Sequence, residues 1–301
     1  IVATDLNGSG DRDLVVANGW SNDISVLFNS GGGLFGVAVN YAVGHYANYL
    51  LAADFDGDGD DDVFAAVWDN GDIFVCLDGG TTLPGGRVLW SYPVSGAHST
   101  AVLPDFTGDG VNEAVAVIWA TGGSSVRCLN GATGAHIWSS TTVTGYGMMA
   151  DVIDDVDGDG GSDVVVGSWD NAVIVLNGKT GQEIWNTPVG TTNNGYVWTV
   201  RGIPDLDGDG INDVIAGSFD LHAYAMSGTD GEVLWSYNTG NRVFSVAPVG
   251  DLDGDGGPEV AVGTQDTSSN VVFYVIDGGE GALFADGFES GDTSGWSATT
   301  P

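Results

Sequence analysis

The chain has 301 residues and a formal net charge of −35, with only 6 Lys+Arg against 41 Asp+Glu. Nucleic acid and anionic membrane surfaces are poor partners for such a charge. With 50 glycines and 43% hydrophobic residues, the composition describes a turn-rich β protein rather than a disordered chain.

The first predicted element is the acidic loop DLNGSGDRD, opened by Asp5 and followed by an apolar run. It returns as DFDGDGDDD from Asp54, DFTGDGVNE from Asp105, DVDGDGGSD from Asp155, DLDGDGIND from Asp205 and DLDGDGGPE from Asp251. The intervals between opening aspartates are 49, 51, 50, 50 and 46 residues, and a regular period near 50 marks a repeat architecture. In each copy, side chains at loop positions 1, 3, 5 and 9 and the carbonyl at 7 can wrap one cation with hard oxygen ligands, at ~2.3–2.6 Å. Glycine at position 6 supplies the sharp turn that keeps the acids on one centre. Without a cation, carboxylates this close would repel strongly in a partly desolvated loop.

The predicted ligands follow loop by loop, up to about six calcium ions in all. They are Asp5, Asn7, Ser9, Asp11 and Asp13; Asp54, Asp56, Asp58, Asp60 and Asp62; Asp105, Thr107, Asp109, Val111 and Glu113. The later loops supply Asp155, Asp157, Asp159, Gly161 and Asp163; Asp205, Asp207, Asp209, Ile211 and Asp213; Asp251, Asp253, Asp255, Gly257 and Glu259. Neutral Asn7, Ser9 and Thr107 predict weaker binding in the first and third loops. The six loops hold 24 of the 41 acids, so the charge is concentrated where cations would neutralise it. An EF-hand is excluded: its twelfth position demands a bidentate Glu, and here Ala65, Val166 or Ala216 stands there, inside a predicted strand.

One repeat reads as four strands. In the fifth, these are Tyr196 to Ile203, Asp213 to Phe219, His222 to Met226 and Val233 to Tyr237, each short, rich in β-branched and aromatic residues and bounded by turn formers. Second strands such as VVVGSW are nearly continuous apolar runs, as expected when neighbouring sheets cover both faces. Between third and fourth strands, Gly134…Trp138, Gly181…Trp185 and Gly231…Trp235 repeat one spacing. Glycine there permits positive φ, and the regular Trp reads as an inter-sheet wedge. Cys76 and Cys128 occupy equivalent places in neighbouring repeats, too far apart for a disulfide and suited to small core positions.

Six four-stranded units predict an all-β chain, a β-propeller of about six blades, or seven if an N-terminal segment is missing. The loops with their following strand, and ISVLFNSGGGLFG in the first repeat, resemble FG-GAP/VCBS repeats, the propeller repeats of integrin α-subunits and of secreted bacterial proteins. That resemblance implies calcium in the loop between first and second strands. The TGxxxW turns resemble the tryptophan-docking motif of quinoprotein-type propellers; no pyrroloquinoline-quinone site is visible. The propeller is expected over 1–285. The tail, 286–301, resembles a short C-terminal signature of secreted bacterial proteins, DGFESGDTSxWS. No initiator Met, signal peptide or membrane span is visible, so the chain reads as mature or trimmed.

Propeller topology puts the acidic loops and the NGxTG turns on one side, and the second-to-third and fourth-to-first connections on the other. That other side collects Trp68, Asp69, Trp169, Asp170, Tyr196 and Asp220, a candidate ligand surface in which rings would stack on sugars and polar groups bond hydroxyls. Blade-capping by the recurring aromatics is the plainer reading. Catalysis has little support: His45, His98, His136 and His222 are scattered, and neither GxSxG nor HExxH occurs. The expectation is therefore a secreted, extracellular or cell-surface calcium-binding propeller serving binding, adhesion or surface assembly, with a glycan or an extracellular protein as partner. Calcium affinities of 10⁻⁴–10⁻³ M suit that compartment. The alternatives are a polysaccharide-active enzyme or its carbohydrate-binding part, and a self-assembling subunit of an extracellular filament.

Overall fold

The computed structural model describes residues 1–43, 46–67, 72–76, 88–94, 96–120, 123–143, 145–190, 195–252, 254, 256–265, 271–278 and 282–286. The expected tail from 287 onward lies outside them, as do Trp68, Asp69, Asp253 and Asp255.

All regular structure among these residues is β. The first sheet is β1 (Val2–Thr4), β2 (Asp13–Asn18), β3 (Asp23–Leu27) and β4 (Val39–Ala42). The second is β5 (Ala47–Ala53), β6 (Asp62–Val67), β7 (Asp72–Cys76) and β8 (Val88–Pro93); the third is β9 (Ala97–Leu103), β10 (Glu113–Ala120), β11 (Gly123–Leu129) and β12 (His136–Ser140). The fourth is β13 (Gly147–Ile153), β14 (Asp163–Ser168), β15 (Ala172–Leu176) and β16 (Glu183–Pro188), and the fifth is β17 (Val197–Ile203), β18 (Asp213–Ser218), β19 (His222–Met226) and β20 (Val233–Asn238). The sixth is β21 (Arg242–Val249), β22 (Glu259–Gln265), β23 (Val271–Ile276) and β24 (Ala282–Asp286). Every sheet is an antiparallel meander in chain order.

The sheets fall into two compact units, Ile1–Val143 with Lys179–Gly181, and Thr144–Gly178 with Gln182–Pro301. Within each, first strands of successive sheets lie side by side: β5 beside β1 and β9 in one unit, β17 beside β13 and β21 in the other. This is propeller packing. Five sheets open on a first strand of 7 or 8 residues, whereas β1 has only 3. Among the described residues complete blades thus number five, fewer than the six or seven the repeat count predicts, and the first sheet has only a three-residue first strand.

The burial pattern follows from the sequence. β6, β14 and β18 are buried at every position, as their continuous apolar runs require. Outer strands such as β16 alternate exposed and covered residues. In the second unit, Val165, Val173 and Val175 of the fourth sheet meet Val197, Val200, Val214 and Ala216 of the fifth. Each such valine contributes on the order of 1.5–3 kcal/mol by burial. The sheets approach closely enough that a Cβ on Gly217 would lie 2.4 Å from Val243 Cγ1. Cys128 is a free, buried thiol, and burial pushes its pKa up. The side chain of Cys76 lies outside the described residues.

The tryptophans dock as inter-sheet wedges. Trp185 Nε1 donates to Gly228 O at 2.7 Å and Trp235 Nε1 to Gly278 O at 2.6 Å, each reaching the next sheet; Trp90 does the same to Gly131 O. The turn glycines serve twice: Gly231 has φ +76°, and a Cβ there would lie 2.6 Å from the Trp185 ring.

Candidate metal centres

Each acidic loop joins a first strand to a second, and its geometry is set by its own amides. The opening carboxylate turns back onto the two loop glycines. Asp155 accepts from Gly158 N and Gly160 N, both at 2.7 Å, and Asp205 from Gly208 N at 2.6 Å and Gly210 N at 2.8 Å. Asp54, Asp105 and Asp251 repeat the pair, and Asp5 accepts from Gly10 N. These glycines have positive φ, +80° and +85° in the fourth loop, which explains glycine at position 4 as well as 6. The amides of Gly108 and Gly110 hold the Asp105 carboxyl below its usual range, and those of Gly210 and Gly208 do the same for Asp205. Positions 3 and 5 continue the pattern: Asp157 accepts from Asp159 N at 3.1 Å and Asp159 from Gly161 N at 2.8 Å.

Position 9 is different in kind. Asp13, Asp62, Glu113, Asp163, Asp213 and Glu259 begin the second strands and are buried. Asp163 accepts from Val156 N at 2.9 Å and from Gly178 N at 2.9 Å; Asp213 accepts from Leu206 N at 2.6 Å and Gly228 N at 2.9 Å. The carboxylate therefore ties its loop to the turn between third and fourth strands. Burial pushes Asp62 up to about 7 and Asp163 and Asp213 up to about 6, and nearby loop aspartates add to the effect. The amides that donate to these carboxylates offset part of that burial, and a proton or a cation would offset the rest.

Four loops bring three acids together, with ligand atoms within 4.8 Å of one another: Asp54, Asp56 and Asp58; Asp105, Asp109 and Glu113; Asp155, Asp157 and Asp163; Asp205, Asp207 and Asp213. The donors are all hard oxygens, the set that best suits calcium, magnesium or manganese. The third loop joins this set although Thr107 departs from the pattern, with Asp109 and Glu113 completing the trio. In the second loop the trio omits Asp62. Among the described residues the first loop forms no such trio: Asn7 accepts from Ser9 N at 3.0 Å and Ser9 Oγ from Asp11 N at 3.2 Å. In the sixth, Asp251 caps its glycines and Glu259 accepts from Leu252 N at 2.8 Å. Asp11, Asp60, Val111, Gly161, Ile211 and Gly257 occupy position 7, where the expected donor is the carbonyl.

Sequence reasoning missed the turn residues that reach the loops. Asn177 Nδ2 donates to Asp157 and to Asp159, both at 2.8 Å, while Asn130 Nδ2 reaches Asp109 and Thr229 Oγ1 reaches Asp209. The recurring NG or SG pair opening each of these turns was the available signal.

On the opposite side of the second unit, aromatic rings pack on one another. Trp169 stacks on Tyr196 at 4.7 Å and meets Tyr146 edge-on at 5.1 Å; Phe219 stacks on Trp198 at 5.0 Å and carries Arg242 5.2 Å from its centre. Asp170 is exposed, whereas Asp220 accepts from Tyr224 Oη. The ring faces expected to meet a ligand are thus largely occupied by each other.

Meander sheets packed through their first strands, with an acidic loop after each first strand, define a β-propeller of the acidic-loop repeat class. The model of the family described as outer membrane protein assembly factor BamB matches residues 50–204 and 122–283, each more than half of the chain, and the chain belongs to that family. An FG-GAP-like repeat model matches residues 5–65. No curated protein matches the sequence. Among solved structures, the chain is similar to Sqt1 of Saccharomyces cerevisiae, with TM-score 0.73 and 13% identity over 92% of this chain and 74% of that one. It is also similar to Sqt1 of Chaetomium thermophilum bound to the N-terminus of ribosomal protein L10, with TM-score 0.69 and 14% identity over 91% and 71%. BBS1N in complex with ARL6DN gives TM-score 0.65 and 11% identity over 95% and 80%. At these identities the likeness is one of fold.

Proposed function

We propose that the chain is a calcium-stabilised β-propeller that acts as a non-catalytic protein-binding module outside the cytoplasm. The observation that carries this reading is the recurrence of one oxygen-donor arrangement in four loops, each with acids within 4.8 Å of one another. Bound calcium would supply the positive charge these loops lack. The chain's own residues hold the oxygens in place: glycine amides aim the opening carboxylate, and the position-9 carboxylate anchors the loop to the sheet. Loops fixed on such a scaffold are where binding residues concentrate.

A protein partner is favoured over a glycan because the aromatic faces are already stacked, leaving edges and the exposed Asp170 to be read. The assembly factor that names the family and the complexes formed by the similar structures support the same choice. The test is a panel of purified extracytoplasmic proteins and neutral polysaccharides, assayed in calcium buffer with the parent and Asp170→Ala. Protein binding lost in the variant at unchanged Tm is expected. Binding confined to polysaccharides, or their turnover, would overturn the reading.

A further inference from the structure

The acidic loops and the docking tryptophans meet at one residue. In the fifth sheet, Gly228 N donates to the buried Asp213 carboxylate at 2.9 Å, while the carbonyl of the same residue accepts from Trp185 Nε1 of the fourth sheet at 2.7 Å. A second pair of contacts runs alongside. Thr229 Oγ1 donates to Asp209, and Thr187 Oγ1 of the fourth sheet donates to Gly231 O at 2.8 Å. The turn 227–231 is therefore clamped by its own acidic loop on one side and by the neighbouring sheet on the other. It has little room to adjust: a Cβ at Gly228 would lie 2.0 Å from Asn212 O, and one at Gly231 2.4 Å from Thr187 Oγ1.

We infer that Trp185 is a positioning residue for the cation site of the fifth sheet, and that filling this site tightens the docking of the fourth sheet on the fifth. The inference rests on the calcium reading above. The N–H that donates to Asp213 and the carbonyl that accepts from Trp185 belong to the two peptide units on either side of the Gly228 Cα, so the link is geometric: in a turn this tightly held, fixing one unit limits where the other can point. A cation held by Asp205, Asp207 and Asp213 would offset their mutual repulsion and fix the turn that receives Trp185. By reciprocity, a docked Trp185 holds the turn whose amide orients Asp213 for the cation. Metal loading would then act on the joint between sheets as well as on the loop.

The experiment is a calcium titration of the chelator-stripped chain, as parent, Trp185→Phe and Asp213→Asn. Site number and affinity are read by calorimetry, and the Trp185 indole N–H resonance, assigned by its loss in Trp185→Phe, is followed by NMR. In the parent, calcium should shift that resonance and slow its hydrogen exchange; in Asp213→Asn it should do neither while the remaining sites fill. Trp185→Phe keeps a ring in the socket but removes the N–H, and should weaken one site about three- to tenfold with the others unchanged. Calcium uptake with an unmoved Trp185 resonance, or full affinity at every site in Trp185→Phe, overturns this inference alone. Absence of calcium uptake overturns the metal reading and this inference together.

Discussion

Replacing Asp213 by Asn separates the two roles assigned to the buried position-9 carboxylate. The group is fully buried and accepts from Leu206 N and Gly228 N. Raising its pKa from 3.8 to about 6 means that ionising it in the folded protein at neutral pH costs about 3 kcal/mol. Asn relieves that cost but can accept only one of the two N–H groups, and an unsatisfied buried donor costs about 1–3 kcal/mol. In chelator the two effects oppose, and the variant should melt close to the parent. In calcium the cation already neutralises the carboxylate, so no relief is gained and a site is lost. At free calcium about 100-fold above Kd, one site is worth about 2.7 kcal/mol. The gap between parent and variant should therefore widen in calcium by roughly 5–11 °C at about 2–4 °C per kcal/mol. Thermal melting followed by circular dichroism, with and without chelator, measures it. Equal gaps in the two buffers would show that Asp213 acts through its amide hydrogen bonds alone.

Three further outcomes are expected. In chelator, stability should rise on acidification from about pH 7.5 to 5: Asp62, Asp163 and Asp213 have raised folded pKa values of about 7, 6 and 6, so their contribution is present below 3.8 and is lost as pH climbs through those values. The depressed Asp5, Asp105 and Asp205 act oppositely only below about 4, and calcium should flatten or reverse the slope, since protons then compete with the cation; a chelated protein whose urea midpoint falls steadily on acidification would contradict this. Asp157→Ala should lower Tm in calcium more than Asp154→Ala, because Asp157 belongs to the trio and accepts from Asn177 Nδ2 whereas Asp154 is exposed; equal shifts would contradict the loop register. Gly217→Ala should destabilise by about 1–3 kcal/mol, with and without calcium, because its methyl would meet Val243 and Thr199; an unchanged urea midpoint would show that the sheets can part freely.

Much of this fold was legible because a repeat writes the same physics six times. The acids at Asp155, Asp157, Asp159 and Asp163 marked their loop, the glycines marked its turns, and the spacing Gly231…Trp235 marked the docking tryptophans. What stayed hidden lies between residues far apart in the chain. Nothing local in Trp185 shows that its partner is Gly228, 43 residues on, or that Asn177 reaches Asp157, 20 residues back. Thr107 marked the third loop as weaker, yet Glu113 joins Asp105 and Asp109 there without it. Trp169 and Tyr196 were legible as neighbours on one side of the blades, but ring composition does not reveal that they stack on each other and so leave few faces for a ligand. The first repeat has the loop register, with neutral Asn7 and Ser9, but only the short strand β1 before it, so counting loops gave more complete blades than the described residues contain.

The measurement that tests the calcium account most directly is calorimetric titration of the chelator-stripped chain with calcium, paired with Tm in calcium and in chelator. Uptake at the second, third, fourth and fifth loops is expected, where three acids converge. A rise in Tm with free calcium is expected as well, since each filled site adds RT ln(1+[L]/Kd) to stability. No heat of binding and a Tm indifferent to chelator would contradict it, and would leave the loop carboxylates as amide-bonded turns and nothing more.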